Sequence, residues 1–244
     1  MHIFKLDTIG STNSFLKDLV SNSILENYTV VTAESQTNGR GQMGETWVSE
    51  KGKNLIMSVF VSLDEWRIRD AVYLNFAVSL AVFKTLNELG LPKLSIKWPN
   101  DILSDNKKIC GILLENSINS EFLKSSVIGI GVNVNQEVFV GDLLLTSSIK
   151  NILGNSVDRS QLLKDIVTQL KEELCLCVEG SFSTIKEQYL SVLYRYLKPS
   201  MFQKKDGNVF MGKIIGVNSI GNLEIEIENE SIQTFGLKEV KILR

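Results

Sequence analysis

Ser95-Ile96-Lys97-Trp98-Pro99-Asn100-Asp101-Ile102-Leu103-Ser104-Asp105-Asn106-Lys107-Lys108-Ile109-Cys110-Gly111-Ile112-Leu113-Leu114-Glu115 reads as two short strands, Ser95 to Trp98 and Ile109 to Leu114, around the polar turn Ser104 to Lys108. Proline has no N–H to give a ladder, so the first strand ends at Pro99. Lys97, Trp98, Asn100 and Asp101 then gather a cation, an aromatic and two polar side chains at one strand end, where open α/β sheets collect ligands. Asn100-Asp101 equally suits a plain turn. Lys107 and Lys108 suit a solvated hairpin, or the second lysine enters the sheet with Ile109 and points into a cleft. Gly111 would leave room for a ligand against that strand. Cys110 reads as a small buried residue.

Toward the N-terminus, Ser11 is placed to cap a helix carrying Phe15, Leu16, Leu19 and Val20, and Tyr28 to Ala33 is a β-branched run suited to a buried strand. Between that run and a strand over Asn54 to Val61 lies Gln36-Thr37-Asn38-Gly39-Arg40-Gly41-Gln42-Met43-Gly44. Glycines lack the Cβ that blocks a ligand's approach, and consecutive amides can form an anion-binding concavity. Arg40 between them offers a bidentate fork for a carboxylate or phosphate; the same composition also fits a solvated loop. Asp70 to Leu89 is the central helix, closed by Gly90.

Toward the C-terminus, Val127 to Val134 is an apolar strand interrupted by Gly129 and Gly131, which suggests a bulge or a ligand lying across the backbone. Asn133 and Asn135 would share one side of it, suited to phosphate or metal-bound water. Asp158-Arg159-Ser160-Gln161 matches a capping box and opens a helix with Leu162, Leu163, Ile166, Val167, Leu170 and Leu174 on one face. A second helix runs from about Ser183 to Arg195. Past Pro199, Leu223, Ile225 and Ile227 alternate with Glu224, Glu226 and Glu228, so a small β-barrel is expected after an α/β body. Cys175 and Cys177 have the wrong spacing for a redox pair and read as core filler.

Composition bounds the chemistry. The 244 residues carry 26 Lys+Arg against 28 Asp+Glu, a net charge of -2, with one histidine and three cysteines. This excludes a Ser/His/Asp triad within a domain, a multi-histidine zinc site and a disulfide framework. No global basic field points to nucleic acid or membrane. The most apolar stretch, Ala71 to Phe83, falls short of the ~20 residues of a bilayer span and reads as a buried helix. The start, from Met1 and His2 to Asp7, lacks the pattern of a signal peptide, so a cytoplasmic protein is expected.

In order, Ser11-Thr12-Asn13, Gln36-x-x-Gly39-Arg40-Gly41, Lys97-Trp98-Pro99-Asn100-Asp101, Lys108-x-x-Gly111-Ile112-Leu113-Leu114-Glu115 and Gly129-x-Gly131-x-Asn133 resemble the biotin protein ligases over nearly the whole chain. The resemblance implies an α+β fold: a catalytic domain over 1–196 on a mixed, largely antiparallel sheet, and a small SH3-like β-barrel over 197–244. It implies a two-step reaction in which biotin's carboxylate attacks the α-phosphate of ATP with Mg2+, and a lysine of a biotin carboxyl carrier protein or domain takes the acyl group.

By the same resemblance, Ser11, Thr12, Asn13 and Gln36 would meet biotin's ureido ring. Gly39, Arg40, Gly41 and Gln42 would form the loop over biotin and its adenylate, with Gly111, Gly129 and Gly131 along the biotin site. Lys108 and Arg40 would be the catalytic cations. Trp47, Lys97, Asn100, Asp101, Asn133 and again Arg40 would face ATP; metal ligands are not assigned. Many relatives have a second Arg at the position of Gln42 and a cation near Glu45, so one hold on the acyl-adenylate is missing here. By the resemblance the expected form is the one without the helix-turn-helix segment that some bacterial relatives carry in front, so DNA binding is not expected, nor is membrane binding. Relatives dimerise through sheet edges, and the residues leave monomer and homodimer both open. Lipoate or octanoate ligation on the same scaffold, and a non-catalytic biotin sensor, are the competing readings.

Overall fold

A computed structural model describes residues 1–139, 145–178 and 180–243. Seven strands form the main sheet: β1 Ile3–Ile9, β2 Val30–Gln36, β3 Leu55–Arg67, β4 Ser95–Lys97, β5 Asp101–Ser104, β6 Lys107–Asn119 and β7 Phe122–Val132, in the order β1-β2-β3-β7-β6-β5-β4. Only β1 and β2 pair in parallel; the other ladders are antiparallel. This is the mixed sheet expected. The first strand went unread because Lys5, Asp7 and Thr8 break its apolar pattern, and as an edge strand it buries none of its residues fully.

Period-2 alternation assigns the two faces of the sheet. Leu55, Met57, Val59 and Val61 of β3, Ile112 of β6, and Ile128, Ile130 and Val132 of β7 enter the main core. Helices α2 (Ala71–Glu88), α4 (Arg159–Val178) and α5 (Phe182–Ser191) cover that face, with Phe76 stacked on Tyr189 at 4.1 Å. The short helix α3 spans Ile149–Leu153. Asp158 Oδ1 accepts from the Ser160 and Gln161 amides at the start of α4, one half of the expected capping box, while the Gln161 side chain donates to Asp165 Oδ1 at 2.8 Å rather than reaching back.

Among the described residues the helix on the opposite face is α1 (Thr12–Asn22), whose Leu16 packs on Val31, Phe60 and Val127. Ser11 caps α1 as expected, accepting from the Ser14 amide, a contact typically worth ~1 kcal/mol. Beyond α1 this face presents Ser58, Gly111, Glu115, Gly129 and Gly131, with Gly111 paired to Gly131 and Ser58 to Gly129. Three missing side chains hollow the sheet surface there.

The tail holds β8 Pro199–Lys204, β9 Val209–Val217, β10 Leu223–Glu226, β11 Ile232–Phe235 and β12 Val240–Ile242, in the order β11-β10-β9-β8-β12. Its pairings form an open five-stranded antiparallel sheet; among the described residues no ladder joins β11 to β12, so the barrel expected from the sequence is seen as a sheet only. Phe202, Ile214, Val217, Leu223, Ile225 and Phe235 belong to the same buried cluster as the main sheet and its helices. Cys177 is buried and Cys175 exposed, so only one of that pair fills the core; burial pushes the Cys177 thiol up to about 12. No helix among the described residues is long and apolar enough to cross a membrane.

Candidate active site

The hollow on the α1 face is a cleft of about 240 Å³. Its lining brings together Ser11, Thr12, Asn13, Gln36, Arg40, Gly41, Gln42, Trp47, Asn100, Asp101, Lys108, Gly111, Gly129 and Gly131, fourteen of the residues singled out from sequence.

One end is neutral and closely knit. Ser11, Thr12 and Asn13 are buried at the start of α1, and Ser58 is fully buried beneath them. Gln36 Oε1 accepts from the Thr12 amide and hydroxyl at 2.8 and 3.1 Å. Ser58 Oγ lies 2.8 Å from Thr12 Oγ1 and donates to Asn13 Oδ1 at 2.6 Å. A Cβ at Gly129 would collide with the Asn13 amide. The glycine therefore makes room for Asn13 rather than directly for a ligand. At Gly131 and Gly111, which also line the cleft, a Cβ would come within 2.5 Å and 3.0 Å of the Trp47 indole. Trp47 Nε1 is buried with no hydrogen-bond partner, an unsatisfied donor on the cleft wall.

The other end carries the charges. From Gly111, strict alternation would turn Lys108 to the core face. A register shift opposite Ile102 and Leu103 pairs Cys110 with Ile102 and Lys108 with Leu103, leaving Ile109 as an extra residue. Such a bulge re-aims the next side chain, and Lys108 enters the cleft, 2.6 Å from Asp101 Oδ1 and 5.7 Å from the Trp47 ring centre. Burial pushes the adjacent Cys110 thiol upward.

Arg40 stands on a tight hairpin in which Arg40 bridges Thr46, the Gly41 amide donates to Glu45 O, and the Trp47 amide donates to Gly39 O. Its tip needs left-handed backbone at Met43 (φ 51°) and Gly44 (φ 80°). The Arg40 guanidinium pairs with Glu115 and donates to Ser14 Oγ at 3.3 Å. Glu115 also receives Lys17 and Asn13 Nδ2, each at 2.9 Å. Partial burial works against its charge, but the hydrogen bonds from Lys17, Asn13 and Arg40 outweigh it and hold the carboxyl below its ordinary range.

Three sequence candidates lie outside the lining. Lys97 ends β4 opposite Asp101. Gly39 lies against the Trp47 carbonyl, where a Cβ would collide. Asn133 is buried, its amide donating to Ile109 O and its carbonyl accepting from the Ile149 amide. Trp98 turns away from the cleft and donates to Gly221 O of the tail at 3.0 Å. Asn100 Nδ2 donates to Ile112 O, fastening the β4–β5 turn to β6.

Lys17, Glu115 and Lys238 were missed as functional residues. Glu115 closed the Lys108 motif, so its place was legible but its partners were not. Leu237 and Lys238 reach the cleft mouth from the tail; Lys238 Nζ donates to Met43 O at 3.0 Å and pairs with Glu45 at 2.7 Å. A cation thus arrives beside Gln42 from 193 residues along the chain. The hydrogen bond from Lys238 and its charge hold the Glu45 carboxyl below the usual range.

The sequence model of the biotin/lipoate A/B protein ligase family matches residues 6–133. The bifunctional ligase/repressor BirA of Bacillus subtilis is 29% identical over 244 residues, covering 99% of this chain and 74% of that protein. The biotin--[acetyl-CoA-carboxylase] ligase of Mycobacterium tuberculosis is 33% identical over 138 residues, 54% of this chain and 50% of that one. Among solved structures, a biotin protein ligase from Aquifex aeolicus in complex with biotin and ATP superposes with a TM-score of 0.82 at 26% identity, covering 100% of this chain and 99% of that chain.

Proposed function

The chain belongs to the biotin/lipoate A/B protein ligase family, and from that premise we propose that it joins biotin to a lysine of a biotin carboxyl carrier domain through biotinoyl-5'-AMP. The observation that carries this reading is the pairing, in one cleft, of a neutral hydrogen-bonding end with two cations, Arg40 and Lys108. A buried urea-like head needs matched donors and acceptors, which Thr12, Asn13, Gln36 and Ser58 supply.

In the first step a carboxylate oxygen of biotin attacks the α-phosphorus of ATP. The O–P bond forms, the bond from that phosphorus to its bridging oxygen breaks, and pyrophosphate leaves. The difficulty is repulsion between a carboxylate and a polyanion. Fixed cations relieve it and stabilise the charge that develops; Lys108 and Arg40, two cations that line this cleft, would do that work. In the second step the carrier's lysine nitrogen attacks the acyl carbon, the C–N bond forms, and AMP leaves with the C–O electron pair while the amine loses a proton. Neither step needs a histidine, which agrees with a chain whose one histidine is His2.

Mg2+ is usually held by one or two carboxylates together with substrate phosphates. Two carboxylates line the cleft, Asp101 and Glu45, and either would hold the ion with substrate phosphates as the remaining ligands. The ion would supply charge neutralisation on the phosphates.

The test is incubation with biotin, ATP, Mg2+ and a carrier domain, followed by mass spectrometry. Addition of one biotinyl group to a single lysine, with biotin-dependent pyrophosphate release, is expected. Release with lipoate or octanoate but none with biotin would replace this reading with lipoate ligation.

A further inference from the structure

Arg40 does not face the cleft as an isolated cation. Its guanidinium is paired with Glu115, and an arginine–carboxylate pair alone sums to zero charge. Glu115 Oε1 is shared by two cations, Arg40 and Lys17, while its Oε2 accepts from Asn13 Nδ2 at 2.9 Å. The cluster of two cations and one anion keeps a net charge of +1. Lys17 stands on the outer side of the carboxylate, with Val20, Ser21, Asn116 and Ser117 around a separate surface groove, and it does not line the main cleft.

We propose that Glu115 is a positioning residue and Lys17 its charge-balancing partner: Glu115 ties Arg40 to Asn13, and Lys17 offsets Glu115 so that the positive charge of Arg40 stays available to an anionic substrate. This rests on the reading of the cleft as a site for a carboxylate and a phosphate. Both ends of the cleft then meet at one side chain. Asn13 Nδ2 is engaged by Glu115, which leaves Asn13 Oδ1 directed to Ser58, and Arg40 is held by the same carboxylate and by Ser14. A long arginine is thereby fixed before the substrate arrives, which lowers the ordering cost of binding.

Lys17→Met tests this without touching the cleft, because the apolar stem is kept on an exposed helix position. Calorimetry should compare biotin with biotinamide, which has the same rings and no charge. Biotin is expected to bind Lys17→Met about three- to fivefold more weakly than wild type, the size expected of a partly exposed charge, with biotinamide unchanged. Lys17→Arg should restore the wild-type value. The deficit should shrink in 1 M salt, where the screening length falls to ~3 Å. Glu115→Gln, which keeps an acceptor but loses the charge that holds Arg40, should lower kcat for pyrophosphate release more than it raises the inhibition constant of biotinamide as a competitor of biotin. Equal weakening of biotin and biotinamide by Lys17→Met would assign a merely structural role and overturn the proposal, as would no change in either. Wild-type protein that binds neither ligand would instead overturn the biotin reading of the cleft.

Discussion

The closed end and the mouth of the cleft are built on opposite principles. At the closed end, Thr12, Asn13, Gln36 and Ser58 are neutral and bonded to one another through the start of α1, β2 and β3, with Gln36 half-buried and the other three buried. At the mouth, Arg40, Glu45, Lys108 and Lys238 are charged and partly exposed, and three of the four sit on turns or loops. The difference follows from cost. A neutral polar group can be buried if its partners are fixed, whereas an ion needs water or a counter-ion. The closed end therefore suits recognition of shape and hydrogen bonds. The mouth suits neutralising charge that arrives with a substrate, and each of its cations is held meanwhile by a protein anion.

On that division, the largest effect comes from removing the cation that the bulge aims inward. Lys108→Ala should slow pyrophosphate release by about two orders of magnitude or more, the usual size of losing one charge contact in a transition state, with biotinamide binding little changed. A Lys108→Ala enzyme within a fewfold of wild type would break the assignment of chemistry to the mouth. Next comes the closed end. Gly129→Ala forces a Cβ into the Asn13 amide, so biotin and biotinamide should both bind roughly tenfold or more weakly, in line with ~1–3 kcal/mol for unpairing a buried polar group. Calorimetry on both ligands reads this directly, and loss confined to the charged ligand would blur the two ends.

The smallest effect is expected at the tail. Lys238→Ala removes an exposed ion pair and one hydrogen bond to the Arg40 hairpin, so KM for ATP should rise about threefold and trypsin should cleave after Arg40 faster. The Glu45 carboxyl titrates below its ordinary range because of Lys238. The pair is therefore intact at neutral pH and is lost as pH falls through that lowered value, and the gap between wild type and Lys238→Ala should narrow with it. A gap independent of pH and salt would show that the tail acts through packing rather than through charge.

Much of this site is readable along the chain because its parts are local. Ser11 as a cap, the glycine hairpin around Arg40, the proline that ends β4 and the two glycines in β7 each follow from rules about neighbouring residues. The edge strand β1 was not readable, since a half-exposed strand leaves no periodic apolar signal. Nor was the closure of the tail, because alternation in Leu223 to Glu228 reports strands and not how they join.

The sequence by itself singled out fourteen of the residues that line the cleft and, with one histidine in the chain, pointed to lysine and arginine for the chemistry expected there. Only the tertiary structure decided what each of them faces. Gly129 makes room for Asn13, and Gly111 and Gly131 for Trp47. A one-residue bulge at Ile109 turns Lys108 from core to cleft. Glu115 meets Lys17 from 98 residues away, and Lys238 meets Glu45 from 193. Side-chain periodicity repeats over two to four residues and fixes a face. Which faces meet depends on strand order and register, and these are set by the packing of the whole sheet.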